Sequence, residues 1–586
     1  MTRDPGVDAQ LDSRVHRESA ERMKGEEMKR LASLLAAAAL AAAACASGSG
    51  TPPPGSVPKS GGTLSVAIGG DMVYADPALV SDDSSMLVAA QVVEGLVGLK
   101  PGTVSEVVPV LASDLPAISP DGLTYTFKIR TGVKFQDGTD LNAEAVKSNY
   151  DRWQGFPKGD LQDHATYYAA AFGGFGDASN VLSVEAPDST TVVFKLRAPQ
   201  SNFLLSQTGP AFGILSPTSV QANDGDNPTL SNNPYALGQG GQGKAMVGTG
   251  PFMFSEWVPK DHIALVKNPG YWNATGRPYL DQIVFKPYAD SAAQVTALQS
   301  GAVDLIASLD PTAVDKVRGD TNLRVLHGGS SCTTTQIYMN NAAELNGQAN
   351  PLGNKNVRFA VASAVERQSY VNAFYAGEAI VADNWMPAAA QYYQREYLPA
   401  YDVTKARSYV AQSGISGTGL TLDLWYPTGP ATASLPDPKG LAQAIAQDLL
   451  TVGFTVNVKT EALSPNFQSD EAAGKLQMWL SGRTCRWGGP DDFLSTGLFR
   501  YVNGSPSPEF NYKNDDLNTA MTAALSAADS AAARSSWSKA QDLIAADMPT
   551  VPLLDATLPA GAQTYVVGFV GSGGGVESLS SVWLNK

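Results

Sequence analysis

Histidine and cysteine are scarce in this chain of 586 residues, with four of the first and three of the second. His16, His164, His262 and His327 stand far apart and form no HExxH or HxH spacing, so no local histidine metal motif exists. The G-x-S-x-G turn that presents a hydrolase serine is missing. There is no basic cluster with interleaved aromatics, and the net charge is −15. That balance argues against nucleic acid and against broad contact with anionic lipid. Beyond the N-terminal region no long apolar run occurs, so the body of the chain is expected to be soluble. A body of about 540 residues is long enough for two or more domains with large cores.

What is present at the start is a leader. Met28-Lys-Arg is followed by an apolar stretch from Leu31 to Ala44, ending in alanines, and then Cys45. A basic region, a short apolar run and small residues before a cysteine fit a secretory signal ending in a lipidated first mature residue. The competing reading is an ordinary cleaved signal with an incidental cysteine, or a weak anchor helix. Residues 1–27 are charged and fit no signal design, which makes Met28 the expected start, with 1–44 removed. After Cys45 comes Ala46 to Gly62, ASGSGTPPPGSVPKSGG, without an apolar face. Residues 45–62 are therefore expected to be a disordered tether reaching on the order of 20 Å.

Strand and helix patterns alternate along the body, which indicates an α/β or α+β fold. Thr63–Ile68, Leu123–Ile129 and Thr191–Leu196 alternate as strands. Ser84–Leu96 has helical spacing, Asn142 can cap a helix running to Trp153, and Ser291–Ser300 is closed by Gly301. Leu420–Trp425, a helix from about Gly440 to Thr451, and Phe454–Lys459 form a strand–helix–strand unit. Ala520–Ala528 and Ala531–Asp547 are alanine-rich helices, and Gly571 to Gly575 is a loop. Gly238-Gln-Gly-Gly-Gln-Gly243-Lys244 fits both phosphate-loop spacings. It lacks a preceding strand pattern, and Ala245 replaces the magnesium-binding hydroxyl, so a flexible loop is expected. Adjacent acids at Asp82-Asp83 and Asp491-Asp492 suit solvated turns or helix starts better than an acid–base pair.

Several blocks carry a resemblance. They include Gly62-Thr-Leu-Ser-Val-Ala-Ile, Asp76-Pro77, Val93-Glu-Gly-Leu-Val and Pro109-Val-Leu-Ala-Ser. Ser119-Pro-Asp-Gly-Leu-Thr-Tyr-Thr-Phe-Lys-Ile-Arg runs on to Thr139, and Leu141-Asn-Ala-Glu-Ala-Val-Lys follows. Later come Val247-Gly-Thr-Gly-Pro-Phe, Asn268-Pro-Gly-Tyr-Trp272, Leu298-Gln-Ser-Gly-Ala-Val-Asp304 and Asn356-Val-Arg-Phe-Ala-Val-Ala. In this order they resemble the extracellular solute-binding proteins of ABC importers, family 5, the large peptide-binding type, over residues 60–586. The resemblance implies a two-lobed periplasmic-binding-protein-like α/β fold with an extra domain inserted in lobe I and a central ligand cleft. Lobe I would comprise 60–98, 221–331 and 555–586, the extra domain 99–220, and lobe II 332–554. The chain would cross between lobes near Ser331 and Asp555. Cys332 matches a family position that pairs with a cysteine near a late tryptophan motif, where Cys485 lies; an even count in an exported chain agrees with one disulfide.

In many peptide-binding relatives that motif supplies an aspartate for the peptide ammonium. Here the segment is Arg483-Thr-Cys485-Arg486-Trp487-Gly-Gly-Pro490-Asp491-Asp492-Phe-Leu494. Counting back from Pro490 puts Arg486 at that position; counting forward from Cys485 puts it nearer Trp487. A guanidinium would repel an ammonium and attract a carboxylate, unless Arg486 turns to solvent or pairs with Asp491 or Asp492. The other cleft segment implied is Asp76–Met86, with Asp82, Asp83 and Ser84. The expected ligand set is Asp82, Asp83, Ser84, Trp425, Tyr426, Arg483, Arg486, Trp487 and Asp491, with Trp479 a further candidate for the pocket wall. No catalytic residue, metal or cofactor is expected. The function implied is capture of a small solute, foremost a peptide, by a monomer tethered to the outer face of the cell membrane, for a permease and its ATPases. Alternatives are a non-peptide ligand, such as an anionic metabolite, oligosaccharide or metal chelate, and, from another class, a secreted hydrolase.

Overall fold

The computed structural model describes residues 57–225, 227, 246–273, 277–327, 332–396, 398–429, 432–495, 499–501, 504–571, 573–574 and 576–586. Cys45, the leader, the first part of the tether, the glycine-rich 238–244 stretch and Ser331 lie outside the described residues.

Two mixed sheets organise the chain. The first has seven strands in the order Leu323–Leu326, Ala560–Gln563, Leu305–Ile306, Thr63–Ile68, Gln282–Pro287, His262–Lys267, Phe252–Val258. Thr63–Ile68 lies in its middle, parallel to Gln282–Pro287 and Leu305–Ile306. Leu64 and Val66 are fully buried against one core, and Ala67 turns to a second core formed with the helix Ser291–Gln299. The second sheet has six strands in the order Ala379–Val381, Val551–Ala556, Thr333–Met339, Met478–Thr484, Thr421–Thr428, Thr455–Ala462. The expected strand–helix–strand unit is there: Thr421–Thr428 and Thr455–Ala462 run parallel, joined through the helix Pro438–Thr451. This is the expected mixed α/β, two-lobed arrangement. Within residues 99–220 a third, four-stranded antiparallel sheet lies over a separate core that includes Tyr125, Phe127, Tyr150, Trp153 and Phe194.

Local chemistry accounts for most boundaries. Asn142 caps the helix Ala143–Gln154 by accepting from the Ala145 N–H, and Gly122, at φ +69°, completes the turn into strand Thr124–Lys128. The helix expected over Ser84–Leu96 runs Asp83–Val92, because Asp82, not a serine, caps it and the strand Val97–Leu99 follows. The first late helix starts five residues ahead of expectation, Asp515–Leu525, since Asn514 caps it. The second sheet ends beside the second expected crossing. Asp555 pairs with Thr334 and Ile380 inside the second sheet, and Thr557 to Pro559 make the passage.

Candidate functional site

Cys332 and Cys485 are bonded, with Cα atoms 5.5 Å apart. The bond ties the strand Met478–Thr484 to Thr333–Met339 just where Arg486 begins a tight turn. Gly488 sits at φ +70°, where a Cβ would overlap the Val104 carbonyl oxygen. Pro490 then starts the helix Pro490–Leu494. The Asp492 carboxylate closes this turn from inside. Its Oδ2 accepts from the N–H groups of Arg486 (2.9 Å), Trp487 (2.8 Å) and Gly488 (3.2 Å). Asp491 Oδ2 accepts from Trp487 Nε1 at 3.0 Å and from Asn202 Nδ2 at 2.7 Å. The two acids form the helix start that was one expectation for them, and their burial corrects only the other, a solvated turn. Burial, and for Asp491 also the neighbouring charge of Asp492, pushes both carboxyls above the usual range.

Arg486 is left facing outward. It is exposed; its backbone N–H goes to Asp492, and its guanidinium makes no hydrogen bond among the described residues. Its charge is felt by Tyr167, on the helix Thr166–Phe172, which also senses Asp492 and Asp83. Burial pushes that phenol up to about 12. The charges of Arg486 and Asp83 thus both bear on the Tyr167 phenol, with opposite sign. Asp82 spends an oxygen on the Ser85 N–H at 2.8 Å. Asp83 is reached by solvent, yet surrounding protein removes enough water to raise its carboxyl, with Asp82 adding to the effect. Ser84 follows on the same helix, half-buried.

The other expected residues go elsewhere. Arg483 donates to the Asp492 carbonyl at 3.2 Å, and its charge acts on the buried carboxyls of Glu471 and Glu509, so it is engaged inside the second lobe. Trp425 lies under Lys459 Nζ, 5.2 Å from the ring centroid, on the outer strand pair. Tyr426 and Trp479 belong to the core packed on the second sheet, Trp479 donating to Glu471 at 2.8 Å. Trp487 and Asp491 hold the turn together. Sequence reasoning missed Tyr167 and Asn202, which carry no motif and reach the site only through long-range packing. A groove of about 490 Å³ lined by Glu256, Lys260, His262, Gln282, Lys286 and Tyr288 lies on the first sheet, away from Asp83 and Arg486.

The model of the bacterial extracellular solute-binding proteins, family 5, matches residues 106–505. The chain belongs to this family. Among curated relatives of this family 5 protein, the glutathione-binding protein GsiB of Shigella flexneri is 30% identical over 514 residues, 86% of this chain and 91% of that one. The Salmonella typhimurium protein of the same name is 29% identical over 513 residues, with the same coverage. Among solved structures, the periplasmic binding protein DppA of Helicobacter pylori, in complex with the peptide STSA, matches at TM-score 0.69 and 26% identity, over 90% of this chain and 99% of that one. CtaP of Listeria monocytogenes, at TM-score 0.74 and 23% identity over 90% and 100%, shares the fold. The chain is thus a solute-binding protein of an ABC importer.

Proposed function

We propose that this family 5 protein captures a short peptide with a free carboxylate and hands it to an ABC permease and its ATPases. The observation that carries the reading is the exposed guanidinium of Arg486, which makes no hydrogen bond among the described residues and sits on a turn whose acids accept from the turn's own N–H groups. A guanidinium with no hydrogen-bond partner among the described residues suits a carboxylate, to which it can donate two parallel hydrogen bonds. The relatives named for glutathione, a tripeptide with two free carboxylates, agree with that chemistry. Closure of the two lobes would bury the pair, with no bond made or broken. Of the described residues, no helix is long and apolar enough to cross a membrane. Attachment is assigned to a lipid on Cys45, and the working form is a monomer.

The test is calorimetry with three probes: glutathione, its N-acetyl form, and a tripeptide amide without carboxylates. Each is titrated into the original protein and Arg486→Ala. The carboxylate-bearing peptides should bind and the amide should not. Arg486→Ala should lose about 1.5–3 kcal/mol, roughly ten- to a hundredfold in affinity. Equal affinity of all probes for both proteins would remove Arg486 from the ligand site.

A further inference from the structure

One buried carboxylate has no work in the fold. Asp555 is 6% exposed, and its Oδ1 has no hydrogen-bond partner. Its cross-strand neighbour Thr334 is 2% exposed, and the Thr334 hydroxyl is also without a partner. Residues directly opposite in an antiparallel pair share a face, so these two orphaned oxygens lie side by side. An unsatisfied buried polar group ordinarily costs stability, and two adjacent ones are unusual in a packed core.

The row they occupy connects the lobe crossing to the ligand site. Across the second sheet it reads Ile380, Asp555, Thr334, Arg483. Ile380, at the outer end, is 62% exposed, so the row runs from the sheet's solvent edge inward to the shielded Asp555 and Thr334. Arg483, at the inner end, donates to the Asp492 carbonyl, and Asp492 anchors the Arg486 turn. The chain leaves the sheet for the first lobe two residues after Asp555. The charged groups around Asp555 do not neutralise it. Asp383 is already held by Tyr393 (2.6 Å) and Arg395 (3.4 Å), and it repels Asp555. Burial, then Asp383, pushes the Asp555 carboxyl up to about 8.

We propose that Asp555, with the Thr334 hydroxyl, receives the free α-ammonium of the bound peptide. This rests on the peptide-binding reading above and deepens it. An ammonium supplies what the pair lacks: positive charge and several donors for two acceptors. It also explains how Arg486 can replace the expected amine-binding acid without the protein giving up free amino termini. Two strand spacings separate Asp555 from Arg483, about 10 Å, which is about three extended residues. The glutathione-binding relatives make a tripeptide the first length to test between Asp555 and Arg486.

The experiment uses an equimolar pool of di-, tri- and tetrapeptides with free amino termini, and the same pool N-acetylated. Native mass spectrometry reads capture by the original protein, Asp555→Asn and Asp83→Asn. The original should take the free-amine pool at least tenfold over the acetylated one, with tripeptides dominating. Asp555→Asn should lose that preference while still taking up carboxylate-bearing peptides, and Asp83→Asn should keep it. The captured tripeptide should release a proton on binding, seen as a calorimetric heat that depends on the buffer, and Asp555→Asn should abolish the release. Retention of the amine preference and of the proton release by Asp555→Asn overturns the assignment and leaves the peptide reading intact. Failure of both pools to bind the original overturns both readings. Ligand-free Asp555→Asn should melt no lower than the original; a lower melt would show the carboxyl serving the fold and also overturn the assignment.

Discussion

Removing the Cys332–Cys485 bond should destabilise the second lobe and loosen the ligand site together. The bond joins residues 153 apart in sequence, both on strands of the second sheet or at their ends. In the chain-entropy model a loop of that length constrains the unfolded state by about 5 kcal/mol. With about 2.1 cal/mol/K of unfolding entropy per residue, this shifts the melting temperature by about 4–5 °C if the described chain melts as one unit. The shift is about twice that if the second lobe melts alone. The function should follow, because Cys485 directly precedes Arg486 and its N–H donates to the Cys332 carbonyl at 2.9 Å. The assay is calorimetric melting and ligand titration of the oxidised protein, the protein under reductant, and the Cys332→Ala/Cys485→Ala double variant. The two bond-free forms should melt together, well below the oxidised one. A double variant within about 1 °C of the oxidised protein would refute the reasoning.

Further outcomes follow from other contacts. His327 Nδ1 lies 3.1 Å from Glu378 Oε2, a bridge from the end of a first-sheet strand to the start of a second-sheet strand. The hydrogen bond to Glu378 raises the His327 pKa above 6.5, although Arg318 opposes it. Burial raises Glu378, but its partners, His327 first, bring it below 4.5 overall. The His327 contribution is therefore complete below about pH 6.5 and lost as pH rises through the raised value. The Glu378 contribution holds above about pH 4.5 and is lost below it. Because His327 is 42% exposed, screening keeps the effect under about 1 kcal/mol. Melting of the original and His327→Ala should differ at pH 6 and converge by pH 9; a gap independent of pH would contradict the bridge. Gly488→Ala places a Cβ against the Val104 carbonyl at a left-handed φ, and chemical denaturation should show a loss above about 2 kcal/mol. Cys45→Ala should release the protein to the medium or leave it unprocessed; a variant still lipid-modified and membrane-bound would exclude anchoring through that cysteine.

Short-range chemistry was legible in the sequence. The alternation of Thr63–Ile68 matches its strand residue for residue, and Asn142 caps the helix it was expected to cap. The disulfide came from the resemblance and holds. What the sequence hid was tertiary. Nothing local to Asp491 announces Asn202, and nothing local to Asp555 announces Thr334; both pairings follow from packing or register between segments far apart. The Trp-Gly-Gly-Pro-Asp-Asp run suggested a solvated turn because its acids are adjacent. Three converging N–H groups on Asp492 made burial affordable instead. The aromatic residues Trp479 and Tyr426 were candidates for a ligand wall, but aromatic side chains at strand spacing more often build a core, and these do.

The central claim is that the cleft holds a short peptide bearing a free carboxylate. Native mass spectrometry of the protein purified without refolding, followed by release and sequencing of whatever it carries, tests this most directly. The account predicts a population of peptides, tripeptides foremost, each with a free carboxylate, and their loss from Arg486→Ala. A sugar, a metal chelate or a neutral solute retained equally by both proteins would contradict it.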